Sequence, residues 1–141
     1  MSADFLDSNV FIYMFDGTDK RKQRRARDIV DAAIETDGAT ISFQVVQETL
    51  RVITGKLAQP ATPEVATQFL AHSLAPLWRV MPSAALYEKC LQLKSRWQLS
   101  FYDGLIVAAA LEAGCKRLLT EDLQHGQRIE GLRIENPFRA A

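Results

Sequence analysis

Short apolar runs alternate with longer amphipathic stretches along this chain. "ADFLDS" near the N-terminus, "ATIS" (Ala39–Ser42), "WRVM" (Trp78–Met81), "RLLT" (Arg117–Thr120) and "LRIE" (Leu132–Glu135) each read as a short buried strand. The stretches between them carry helical spacing. Lys20–Thr36 sets Ala26, Ile29, Val30, Ala33 and Ile34 on one stripe, and Phe43–Ile53 does the same with Val46, Leu50 and Ile53. Pro63, whose fixed backbone angle suits a first helical position, opens a helix running to about Leu74. Ser83–Trp97 repeats Leu86, Cys90, Leu93 and Trp97 at steps of three or four, and Tyr102–Ala113, the most apolar stretch, stops at Gly114. Strands alternating with helices predict an α/β fold with a mostly parallel sheet. There is no internal repeat or low-complexity segment, "KLAQPATPE" reads as a loop between helices, and residues 1–141 are expected to form one domain.

In βα units the helices run antiparallel to the strands they cover. Helix N-termini and strand C-termini therefore share the sheet edge where ligands of open α/β sheets bind. Asp7 ends the first predicted strand. Glu48 lies in the first two turns of the helix after the second, Asp103 in the first turn of the helix leading to the fourth, and Asp122 directly after the fourth with Glu121 beside it. All four acids fall on one edge. Each also has a plainer reading. Asp7 can cap a helix starting near Asn9, Glu48 can pair with Arg51, Asp103 can complete a capping box with Ser100, and Asp122 can serve a turn before Gly126. Their convergence points elsewhere, because crowded carboxylates repel and a hard divalent cation is the usual compensation.

Neither Cys90, Cys115, His72 nor His125 falls at ligand spacing with the acids, so the donors are all oxygen, and Mg²⁺ or Mn²⁺ is expected over zinc. The chemistry that follows is hydrolysis of a phosphodiester by activated water. No glycine-rich phosphate loop or dinucleotide fingerprint is present, which disfavours nucleotide-cofactor enzymes.

Charge changes the picture only locally. Seventeen basic and seventeen acidic residues give a formal net charge of zero, so any contact with nucleic acid must be made by a patch. "KRKQRRARD" is the densest basic stretch; Lys20, Arg21, Arg24 and Arg25 are candidate RNA contacts or, alternatively, a solvated helix face. Phe11, Tyr13, Phe15, Trp97 and Phe101 suit a core, a dimer contact or a partner groove. The start "MSADFLDSN" lacks the layout of a signal peptide, no apolar stretch is long enough to span a bilayer, and the two cysteines suit buried thiols in a reducing compartment. A cytoplasmic location is expected.

Four blocks, "FLDSNVFIYMFD", "ISFQVVQETL", "LSFYDGLIVAAALEAGC" and "LLTEDLQHG", together resemble the PIN-domain nucleases, and within them the VapC-type toxins of type II toxin–antitoxin pairs. The resemblance spans nearly the whole chain in order. It places the family's four acids on Asp7, Glu48, Asp103 and Asp122, and its supporting polar groups on Ser8 and Asn9, with Glu121 a further candidate. Gly104 stands where alanine is common. The resemblance implies a three-layer fold with a five-stranded, mostly parallel sheet, and Mg²⁺-dependent endoribonuclease activity in which Mn²⁺ can substitute. It also implies an RNA substrate (tRNA or rRNA among the candidates), a homodimer, and an antitoxin encoded nearby that assembles with it into a heterotetramer or larger. Two other readings stay open: a PIN-like nuclease without a toxin role, acting in RNA processing or on DNA, and a non-catalytic co-repressor whose acidic pocket docks a partner's arginine.

Overall fold

The computed structural model describes residues 4–139. Ala3, which begins the first predicted strand, lies outside the described residues. The strands are β1 (Asp4–Leu6), β2 (Ala39–Ser42), β3 (Trp78–Val80), β4 (Arg117–Leu119), β5 (Arg128–Ile129) and β6 (Leu132–Glu135). The helices are α1 (Ser8–Ile12), α2 (Lys20–Thr36), α3 (Phe43–Gly55), α4 (Pro63–Phe69), α5 (Ala84–Trp97) and α6 (Phe101–Glu112). Side-chain oxygens satisfy free amides at several helix starts: Asp19 accepts from Lys22 N, Thr62 from Val65 N, Ser83 from Leu86 N and Ser100 from Asp103 N.

The strands form one sheet in the order β3-β2-β1-β4-β6-β5. All neighbours run parallel except the β5–β6 pair. The expected mostly parallel α/β architecture is therefore present, with six strands instead of five. The additional strand is only two residues long, too short for any hydrophobic period. It pairs with β6 through Glu130 and Gly131, both at positive φ, the geometry of a tight two-residue hairpin turn. The predicted helix from Pro63 to Leu74 also differs: α4 ends at Phe69, a π-helical turn follows over Leu70–Leu74, and a 3₁₀ turn covers Ala75–Leu77. Pro76 lacks the amide a continuing helix needs, so the chain unwinds towards it.

The crossover from β1 through α2 to β2 and the return through α5 and α6 to β4 run in opposite directions along the sheet. With right-handed connections they cover opposite faces. This explains why α6 is apolar on every side: Gly104 to Ala110 are all buried, between the sheet and α5. Phe5, Leu118 and Ile134 from neighbouring strands are fully buried in the same core. Cys90 and Cys115 are free buried thiols, and burial pushes Cys115 up to about 11, so it stays protonated at neutral pH. Among the described residues, no helix is long and apolar enough to cross a membrane.

Gly104 is set by packing. A Cβ there would stand 3.1 Å from the Cys90 carbonyl oxygen of α5 and 3.6 Å from Lys94 N, so the closest approach is to backbone that cannot rotate away. Gly104→Val is expected to separate α5 from α6 at a cost of about 1–3 kcal/mol, lowering the melting temperature by several degrees. A thermal melt checks this, and an unchanged or higher midpoint would refute the close-approach explanation.

Candidate active site

Chain leaving β1 turns towards β2, whereas chain leaving β4 turns towards β6, so a crevice opens where these adjacent parallel strands end. Asp7 and Asp122 stand at that crevice. The Asp7 amide extends the β1–β4 ladder by donating to the Leu119 carbonyl at 3.0 Å. Its side chain caps α1, with Oδ1 accepting from Ser8 N at 2.6 Å, while Oδ2 accepts from the Thr120 hydroxyl at 2.7 Å. Thr120 Oγ1 in turn accepts from Asp122 N at 3.0 Å. Asn9 Nδ2 lies 3.5 Å from Asp7 Oδ2, 3.4 Å from Thr120 Oγ1 and 3.3 Å from Asp122 Oδ2. Facing its amide NH₂ towards three oxygens leaves Asn9 Oδ1 buried without a partner.

Asp7, Glu48, Asp103 and Asp122 line one open pocket of about 520 Å³, together with Ser8, Gln44, Gln47, Arg51, Tyr102 and Ile106. The structure thus brings all four predicted acids to one place. The plainer readings are present as well, without removing any acid from the pocket. Asp7 is a helix cap, and Glu48 is gripped by Arg51, whose Nη2 lies 2.9 Å from Oε1 and 3.0 Å from Oε2. Ser100 accepts the Asp103 amide, but among the described residues the Asp103 carboxylate takes no hydrogen bond, so only half of a capping box forms.

The electrostatics register the crowding. Burial pushes the Asp7 carboxyl up to about 6, against the hydrogen bonds from Thr120 and Ser8, and the charges of Asp122 and Asp103 raise it further. Asp122 is raised as well, first by partial burial, with Asp103, Glu121 and Glu48 adding to the effect and the Asn9 hydrogen bond opposing it. The donor set of four carboxylates is the kind a hard divalent cation takes. As the side chains stand, no three acidic, histidine or cysteine residues among those described are arranged to hold one ion. Glu48 faces Arg51, and the pocket remains open.

Other predicted residues go elsewhere. Glu121 turns to α2, where it pairs with Lys22 at 2.6 Å and accepts from the Tyr13 hydroxyl. Arg21 donates to the Phe138 carbonyl and Arg25 to that of Pro137, so these two hold the C-terminal segment against α2, while Lys20 and Arg24 are exposed. None of the four lines the pocket. His125 accepts from Asn136 N, and Phe11 is buried in the core. Sequence reading overlooked Thr120, the fully buried hydroxyl that ties Asp7 to Asp122. Its signal was a threonine closing an apolar strand two residues before an acid. Arg51, on spacing a partner for Glu48, is a residue of the pocket as well.

The PIN-domain family profile matches residues 5–128. Among solved structures, a toxin–antitoxin complex from Klebsiella pneumoniae aligns with a TM-score of 0.69 at 17% identity, covering 97% of this chain and 99% of that one. VapC20 of Mycobacterium tuberculosis, a toxin that cleaves the sarcin–ricin loop, aligns at 0.61 and 19% identity over 84% of this chain and 91% of its own. VapBC2 from Rickettsia felis, bound to a DNA fragment from its promoter, aligns at 0.66 and 19% identity, covering 94% and 97%. At these identities the structural likeness concerns the fold. Among curated protein sequences none matches significantly.

Asp7 makes the metal-free protein sensitive to pH. Its folded-state value of about 6 lies above the ordinary 3.8, so the folded state holds this proton more tightly than the unfolded chain does. The resulting stabilisation is complete below the ordinary value and is lost as pH rises through about 6. For a shift of this size the loss is about 3 kcal/mol. Asp7→Asn is neutral throughout, so in EDTA it should melt above the parent at pH 7, with the gap shrinking towards pH 4. Melting curves that run parallel across this range would show that Asp7 is not strained by its surroundings.

Proposed function

The chain belongs to the PIN-domain family, and from that premise we propose that it is a metal-dependent endoribonuclease, the toxin of a type II toxin–antitoxin pair. One observation supports this most directly: four carboxylates, delivered by the ends of β1 and β4, by the second turn of α3 and by the first turn of α6, line a single pocket. Under this reading residues 1–141 act as one catalytic domain in the cytoplasm and assemble as a homodimer. A neighbouring gene supplies the antitoxin, which masks the acids with an arginine.

Asp7, Glu48, Asp103 and Asp122 are the residues that would hold Mg²⁺ or Mn²⁺. The ion supplies charge neutralisation at the phosphodiester and activation of water for its hydrolysis. The chain's own groups do the positioning. Thr120 fixes Asp7 Oδ2 and the Asp122 backbone at one oxygen, and Asn9 spans both carboxylates, so neither acid is free to swing outward. With a value near 6, the Asp7 carboxyl keeps its proton in mild acid and releases it by neutral pH, when the full set of negative oxygens becomes available. Glu48 must exchange its hold on Arg51 before joining the others. That exposed pair, three residues apart on a helix, is worth only a few tenths of a kcal/mol, roughly 0.2–0.5.

Purified protein should cleave RNA with Mg²⁺ or Mn²⁺ and stop on addition of EDTA. Asp7→Asn and Asp103→Asn keep the side-chain shape but remove a negative oxygen, so each should slow cleavage by about 10²-fold or more and abolish growth inhibition in cells. Gel assays of RNA cleavage together with growth curves check both. Wild-type rates in either variant would refute the proposed site, and RNA binding without any cleavage would favour the co-repressor reading.

A further inference from the structure

Nucleic acid is polyanionic, and a pocket of four carboxylates repels it. Among the residues lining this pocket, Arg51 is the single cation. Its guanidinium is half exposed, with 53% of the side-chain surface accessible, and its partner Glu48 is 42% accessible. An exposed pair of this kind exchanges partners readily. The fork that grips the Glu48 oxygens has the same planar geometry that grips a phosphate.

Tyr102 lines the same pocket and presents the opposite chemistry. It is the most exposed large hydrophobic residue of the described chain, at 68%, although it sits in the first turn of the most buried helix. The ring is braced edge-on by Phe101, with centroids 5.2 Å apart and planes at 86°. Its backbone carbonyl accepts from Gln44 Nε2 at 3.0 Å, which ties the α6 start to α3, the helix that carries Arg51. A held aromatic ring with an exposed face is a stacking platform for an unpaired base. A base inside a duplex cannot reach such a ring.

We propose that Arg51 and Tyr102 form a nucleotide subsite beside the four acids, in which Arg51 takes a backbone phosphate and Tyr102 stacks on the adjacent unpaired base. The subsite accordingly admits an unpaired nucleotide and excludes a paired one. This rests on the nuclease reading and deepens it. Arg51 is then shared between two occupants, Glu48 in the free protein and a phosphate when substrate enters.

The test is fluorescence anisotropy of a labelled, short single-stranded oligoribonucleotide on the Asp7→Asn protein, which separates binding from cleavage, with a fully paired duplex as a second probe. Tyr102→Ala should weaken single-strand binding roughly tenfold, on the scale of losing one stacked base, and Tyr102→Phe should keep it. Arg51→Gln should weaken binding and reduce the slope of log affinity against log salt by about 0.7, the share of one phosphate on a single strand. The duplex should bind more weakly than the single strand. Unchanged affinity in Tyr102→Ala would show the ring to be a protein-contact residue and overturn the proposal. An unchanged salt slope in Arg51→Gln would overturn it equally, by confining Arg51 to Glu48. If the unsubstituted protein cleaves RNA while either result holds, the nuclease reading survives and only the subsite falls. If that protein neither binds nor cleaves RNA, both fall.

Discussion

A buried carboxylate at the switch point of the sheet organises this molecule. Asp7 lies where β1 and β4 end side by side, its amide part of their ladder and its side chain capping α1. Removing a carboxylate from water is expensive unless its oxygens are satisfied, and here they are, by Ser8, Thr120 and Asn9. The hydrogen bonds do not fully offset the burial, because the carboxyl stays raised to about 6. The fold therefore retains a group that is poorly stabilised as an anion in the free protein. This is what a site reserved for a positive partner requires.

Apolar packing, not charge, brings the acids together. Asp7 and Asp122 are far apart in sequence and meet because β1 pairs with β4. Asp103 arrives because α6 has no polar face and must be enclosed, so its N-terminus is fixed at the sheet edge by buried surface from Gly104 onward. Gly104 sharpens the placement by letting α5 approach at the Cys90 carbonyl. Helix burial of this kind supplies the energy, and the carboxylates are held in mutual repulsion at its expense.

The fold and the four acids were legible because they follow from periodicity and edge geometry. Lys20–Thr36 forms over the residues its apolar stripe predicted, and the five longer strands fall where the apolar runs lie. Strand β5 was not legible, since two residues carry no period and the hairpin depends on positive φ at Glu130, which is not glycine. The change of helix type after Phe69 was hidden because the apolar helical pattern continues unbroken to Leu74. The basic stretch was legible only in part, for a similar reason. Sequence shows that "KRKQRRARD" is charged, but only the folded chain shows Arg21 and Arg25 occupied by C-terminal carbonyls and Lys22 by Glu121.

That reassignment bears on recognition. With zero formal net charge, and with Arg21, Lys22 and Arg25 of its densest basic stretch drawn into internal contacts, the protein has no strong net field with which to gather nucleic acid. Under the nuclease reading, discrimination would then come from short-range contacts at the pocket itself, where Tyr102 and Arg51 stand beside the acids. Such contacts depend on the shape and pairing state of the target, not on its total charge. On that reading the enzyme would pass over most of the RNA around it, and its selectivity would reside in the few side chains that line the pocket.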